Sequence, residues 1–330
     1  MTGPVVTACL IGGALLLTIV VPRLLARWTA LRAVPGQALF LWQAVSLAGV
    51  SCALLATPVA ALTFGTDRPR LLAAALIVSL LVLGRLLWSG HRVGSDLRRM
   101  RATHAQLVDL VGERLEDGDD VLAQSRPTNP VAGAGAHRHV RLPGDHKRRV
   151  MMISEGEATA YCLPGRRERV VLSRAALDSL DDHELDAVLA HEDAHLAQRH
   201  DLLLELFTVL HEAVPAAVRA PSALREVHLL AELLADRGAL SHVDPPTLGR
   251  ALVAMAGGHP GPSPVGSEHG QLRMTTARAD TVLSAGHHVH ARLRALAAPD
   301  APTWLRTGLP VAAVGALALP WALVLLLVVV

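Results

Sequence analysis

Cysteine is scarce in this 330-residue chain, with Cys9, Cys52 and Cys162 scattered along it. Three at such spacings supply neither a disulfide framework nor the paired ligands of a zinc ribbon. Lysine is scarcer: Lys147 stands alone among 31 basic residues, and 29 acidic residues leave a net charge of only +2. So small an excess does not describe a nucleic-acid-binding surface, and no direct nucleic-acid partner is expected. The short run His146-Lys147-Arg148-Arg149 reads as solvated or lying near anionic lipid. A secretory leader is also missing from the expectation. No basic segment precedes the first apolar run, and Pro22-Arg23 follows it where a small-residue cleavage site would be needed.

Apolar residues are plentiful. They make up 51% of the chain, and the mean hydropathy is +0.37. The excess falls in four blocks, Val5–Val21, Ala38–Phe64, Leu71–Trp88 and Val311–Val330. Each approaches the ~20 residues that cross a bilayer. Arg85 interrupts the third block and can snorkel toward the interface. Arginines follow the first block (Arg23, Arg27, Arg32) and the third (Arg92, Arg98, Arg99, Arg101). The positive-inside rule then places the segment after the third span in the cytoplasm. The expected protein is a multi-pass protein of the cell membrane. It has three spans in residues 1–90, a cytoplasmic domain in 91–305 and a last span in 306–330.

The cytoplasmic part holds His191-Glu192-Asp193-Ala194-His195. Histidines four apart on a helix share a face, so both imidazoles can reach one cation. The glutamate beside the first can take a proton from water there. The surroundings predict that helix. Asp181 and Glu184 fit a capping box, Leu185, Val188, Leu189 and Leu196 form a stripe, and no proline occurs from Asp181 to Ala213.

A catalytic zinc takes a third protein donor and keeps one position for water. A glycine three residues after the second histidine, with another histidine three further on, is absent; Gln198 and Asp201 stand there. An unbroken helix would carry Asp201 away from the metal. Downstream, Pro221-Ser222 looks like a helix start, and Glu232 and Asp236 lie one turn apart in the apolar stretch that follows. Carboxylates in such surroundings are paired or metal-bound, or lie along a solvated edge. The sharper reading makes Glu232 the third ligand and Asp236 an acceptor that orients a ligand histidine. His228 is a competing ligand.

The runs Ala160 to Gly165, Arg169 to Ser173 and Leu180 to His195 resemble the BlaR/MecR-type membrane metallopeptidases. More distantly they are similar to the HtpX and CAAX-prenyl-protease group. The resemblance covers roughly residues 150–240. It implies a mainly α, multi-span protein carrying a gluzincin-like α+β zinc peptidase domain. His191, His195 and Glu232 would be the Zn2+ ligands and Glu192 the catalytic base. No penicillin-binding domain follows the last apolar block, so β-lactam sensing is not implied. The implied substrate is a protein or peptide, either a cytoplasmic transcriptional repressor or a misassembled membrane protein.

Other elements complete the expectation. A charged helix should run from about Gly94 to Asp119, with flexible loops at Gln124–Gly144 and Gly257–Gly270. Val150–Ile153 and Ala158–Cys162 suggest a hairpin, with Arg169–Leu172 as an added strand and, by resemblance, the substrate-holding edge. His287, His288 and His290 read as a polar face, and His290 or Arg292 as an oxyanion partner. Seven charges on the motif helix argue against a site in hydrocarbon. The alternatives are a catalytically silent signalling or scaffold protein with a retained metal, and a zinc-storage or transport protein.

Overall fold

The structure is a computed structural model that describes residues 2–65, 69–115, 120–122, 137–139, 149–154, 158–165, 168–256 and 288–329. The chain divides into two compact units. One comprises Met1–Arg98, Leu202–Ala231 and Pro299–Val330, the other Arg99–Asp201 and Glu232–Ala298.

In the first unit α1 (Thr2–Leu15) continues through a π turn (Leu16–Val20) into α2 (Val21–Leu25). After it come α3 (Pro35–Phe64), the amino-terminal part of α4 (Pro69–Val111) and, at the chain's end, α11 (Thr303–Val329). Four helices are long and apolar enough to cross a membrane: Gly3–Leu25, Pro35–Phe64, Leu72–Val111 and Thr303–Leu326. α3 packs against both α1 and α11. Small residues permit this: Ala38, Ala48, Gly49, Cys52, Ala56 and Ala60 are buried along α3, the composition expected where helices approach closely without a hydrophobic drive.

Several polar side chains in this unit bond main-chain groups or each other. Thr57 donates to the Ala75 carbonyl at 2.7 Å. Arg85, expected to snorkel, instead donates from Nε to the Ala213 carbonyl at 2.7 Å. Ala213 ends α7 (His200–Ala213), where carbonyls lack helical partners. Arg32 makes a two-bond fork to Glu226, both at 2.7 Å.

The second unit is built on a four-stranded sheet in the order β1-β4-β6-β5. Its strands are β1 (Glu113–Leu115), β4 (Arg149–Ile153), β5 (Ala160–Leu163) and β6 (Arg169–Ser173). A separate pair joins β2 (Asp120–Leu122) to β3 (His137–His139). Val170 and Leu172 face one core with Val150, Met152 and Leu115, while Val171 faces the other with Met151, Leu163 and Val108. Helices α5 (Arg174–Ser179), α6 (Asp182–Ala197), the end of α8 (Pro221–Ala239) and α9 (Pro245–Ala256) follow. A short helix, α10, runs over 288–296.

Three expectations are corrected here. β4 and β5 are not a hairpin. β6 lies between them, parallel to β4 and antiparallel to β5. β6 is buried at all five positions, which suits an interior strand, whereas β5 is only half-buried and takes the edge. Arg169–Leu172 is therefore no edge. The charged helix ends at Val111 instead of Asp119, because Gly112 and β1 follow it. Of Gln124–Gly144 only 137–139 is described, and Gly257–Gly270 lies outside the described residues.

Candidate metal centre

α6 begins with the expected capping box: Asp181 accepts from the Glu184 amide at 2.8 Å and Glu184 from the Asp181 amide at 3.0 Å. Leu185, Val188, Leu189 and Leu196 are buried. That stripe fixes the helix's rotation, so His191 and His195 turn together toward the carboxyl-terminal part of α8. The two Nε2 atoms stand 3.1 Å apart. Glu232 brings Oε2 to 3.5 Å from His191 Nε2 and Oε1 to 3.4 Å from His195 Nε2. One donor from each of the three residues lies within 4.8 Å of the others, an arrangement that could hold a metal ion. Among the described residues this is the one such group. Asp201, the weak candidate, faces Arg101 at 3.6 Å instead, and His228 supplies no donor to the group.

A metal ligand histidine is oriented by what its other nitrogen meets. His191 Nδ1 lies 3.0 Å from Asp236 Oδ1. His195 Nδ1 lies 2.8 Å from Nδ1 of His200. Two imidazoles with Nε2 converging, both Nδ1 atoms engaged behind, and a carboxylate opposite make a donor set that suits zinc.

The approach of α8 to α6 depends on Gly238. A Cβ there would stand 2.6 Å from Ala194 Cβ. Gly238→Val should therefore cost about 1–3 kcal/mol in stability through overpacking. It should also weaken metal binding, because Glu232 and Asp236 ride on the same helix. Thermal unfolding and metal titration of the variant check both.

Glu192 is 8% exposed and its carboxyl is pushed above the ordinary range, first by burial and then by Glu232. His191 opposes that shift. The Cys162 thiol on β5 hydrogen-bonds to Glu192. Burial and the Glu192 charge push that thiol up to about 12, so it stays protonated and donates. A base with a raised pKa is better matched to proton transfer near neutrality.

Burial disfavours a charged His191, yet Asp236 and Glu232 outweigh it and raise its pKa to about 9. Burial dominates for His195, lowered to about 3, and for His200, lowered to about 4. Glu232 and Asp236 are held below the usual carboxylate range despite burial, by His191 and Arg292. Arg292 on α10 grips Asp236 through two bonds, Nε–Oδ2 at 2.8 Å and Nη2–Oδ1 at 2.5 Å, and reaches Glu232 Oε2 at 3.1 Å. Its Nη2 also stands 3.2 and 3.3 Å from the ring nitrogens of His191.

The model for peptidase family M48 matches residues 132–230. That segment is similar to a family of metallopeptidases, and it carries His191, Glu192 and His195. No curated protein and no solved structure matches the chain. The M48 match stops just short of Glu232, so the third donor enters the group through the fold alone.

Of the sequence candidates, the structure brings His191, Glu192, His195, Glu232 and Asp236 into one cluster. It also distinguishes Arg292, which faces the cluster, from His290, which is exposed. Sequence reasoning missed His200 entirely. The helix was expected to continue, but α6 ends at Ala197 and Arg199 adopts φ 50°, without a glycine, before α7 starts at His200. Residues five apart do not meet on a straight helix; this break brings His200 back against His195.

Proposed function

We propose that this protein is a membrane-anchored, zinc-dependent endopeptidase. His191, His195 and Glu232 bind the metal, Glu192 is the catalytic base, and Asp236 orients His191. The single observation that carries this reading is the three donors within 4.8 Å of one another. Support comes from the M48 match and from the four membrane-length apolar helices.

Zinc bound there would supply a Lewis acid that polarises the scissile carbonyl and eases deprotonation of water. Glu192 accepts the proton of the attacking water and returns it to the leaving amine. The Cys162 thiol holds the Glu192 carboxylate in place meanwhile. Arg292 keeps Asp236 and Glu232 ionised. β5 pairs with β6 on one side, and no described strand takes its other side. An extended substrate is held along that edge by main-chain hydrogen bonds. The domain is gluzincin-like, and the arginines flanking the spans put it in the cytoplasm. Its substrate is a cytoplasmic or membrane protein. The resemblance to BlaR/MecR-type peptidases points to regulatory cleavage, with a repressor as one candidate.

The test is metal analysis of the full-length chain together with casein cleavage and self-cleavage, each with and without a chelator. Zinc near one equivalent and chelator-sensitive cleavage are expected. Bound zinc without cleavage would favour a silent scaffold and overturn the peptidase reading.

Zinc binding should also be proton-linked. Below about pH 9 the metal-free His191 is protonated, and coordination expels the Nε2 proton that faces Glu232. Affinity should then rise ~10-fold per pH unit from neutrality and level off above pH 9. Titration calorimetry near pH 7 in buffers of different ionisation heat should register about one proton released. A pH-independent affinity would contradict this account of His191.

A further inference from the structure

His200 belongs to none of the motifs above, yet it is built into the centre. It is 3% exposed, and its ring meets that of His195 edge-on, centroids 4.7 Å apart at 84°. One proton must lie between the two Nδ1 atoms at 2.8 Å. Which ring owns it decides what the site can do.

A neutral histidine that offers Nε2 to a cation carries its proton on Nδ1. His195 Nδ1–H then donates and His200 Nδ1 accepts. The reverse assignment puts the His195 proton on Nε2, aimed at His191 Nε2 and Glu232 Oε1, 3.1 and 3.4 Å away. That proton would stand where the cation must go.

We propose that His200 is the positioning residue of His195: by accepting from Nδ1–H it holds the ring in the tautomer and rotation that present Nε2 to the metal. This rests on the reading of His195 as a ligand. His200's own proton then sits on Nε2, which is buried and has no hydrogen-bond partner among the described residues. The two ligands are thus oriented differently. His191 has a carboxylate behind it, whereas His195 has a neutral ring, which adds no further negative charge beside Glu192, Glu232 and Asp236.

The experiment uses full-length protein in detergent, with zinc as the probe and a chromophoric chelator as competitor. His200→Leu keeps bulk but has no acceptor; His200→Asn offers Oδ1 to the His195 Nδ1–H. The Leu variant should bind zinc ~10–100-fold more weakly, and the Asn variant within about threefold of wild type. A merely structural histidine would not be rescued by Asn. Leu binding as tightly as wild type, or Asn losing as much as Leu, overturns the proposal while leaving the metal centre intact. Wild type that binds no zinc overturns both. Nitrogen-15 spectra of zinc-loaded wild type with labelled histidine decide the matter even if a variant fails to fold: His200 must be bare at Nδ1 and protonated at Nε2, and protonation at its Nδ1 refutes the proposal.

Discussion

Glutamine at position 192 should give a protein that takes up zinc like wild type and cleaves ~10²–10⁴-fold more slowly. The substitution is nearly isosteric, and Glu192 is buried beside Cys162, so the amide oxygen can still accept from the thiol. What it cannot do is take a proton from water. No other described carboxylate is free to replace it: Glu232 faces both histidines, and Asp236 is taken by His191 and Arg292. Cleavage rate and metal content measured on the same preparation separate the roles. A variant that cleaves at the wild-type rate would remove Glu192 from the mechanism, and one that loses zinc would make it a ligand or a structural support.

Leucine at position 236 should be the most damaging change to the centre's framework. Asp236 is 3% exposed and serves two partners at once, Nδ1 of His191 and the guanidinium of Arg292. Removing it leaves a buried arginine with Glu232 as its remaining carboxylate here. Breaking a buried pair in this way costs about 3–5 kcal/mol. Zinc affinity should fall ~10–100-fold as well, since His191 loses its orienting partner. Asparagine is milder, because its carbonyl still accepts from Nδ1–H of His191, while Arg292 keeps Glu232 as a charged partner. Melting of the metal-free protein reads the first effect and zinc competition the second. Equal behaviour of the Leu and Asn variants would mean that the hydrogen bond to Nδ1–H of His191 does not matter.

The parts legible in the sequence are those set by local periodicity. The capping box at Asp181, the stripe from Leu185 to Leu196 and the apolar blocks are written in consecutive residues, and the helices follow them. The convergence of Glu232 on His191 and His195 could be argued too, because a carboxylate in an apolar stretch needs a partner. Strand order could not. β4 and β5 are near in sequence, but the fully buried β6 claims the interior position between them, and this is decided by burial on both faces. The break at Arg199 carries no glycine or proline, so nothing in the chain announces it. His200 was hidden with it. Arg292 lies far along the chain from Asp236, and only the placement of α10 separates it from the exposed His290.

On the proposed reading of β5 as the edge that holds the substrate, its position has a consequence for which polypeptides would be cut. An open strand edge recognises peptide groups, which every sequence has, and recognises them only when they are not already engaged elsewhere. A segment locked in its own helix or sheet has none to offer. Susceptibility should therefore follow how often a stretch of a target protein comes loose, so that folded and misfolded copies of one protein, identical in sequence, would meet different fates.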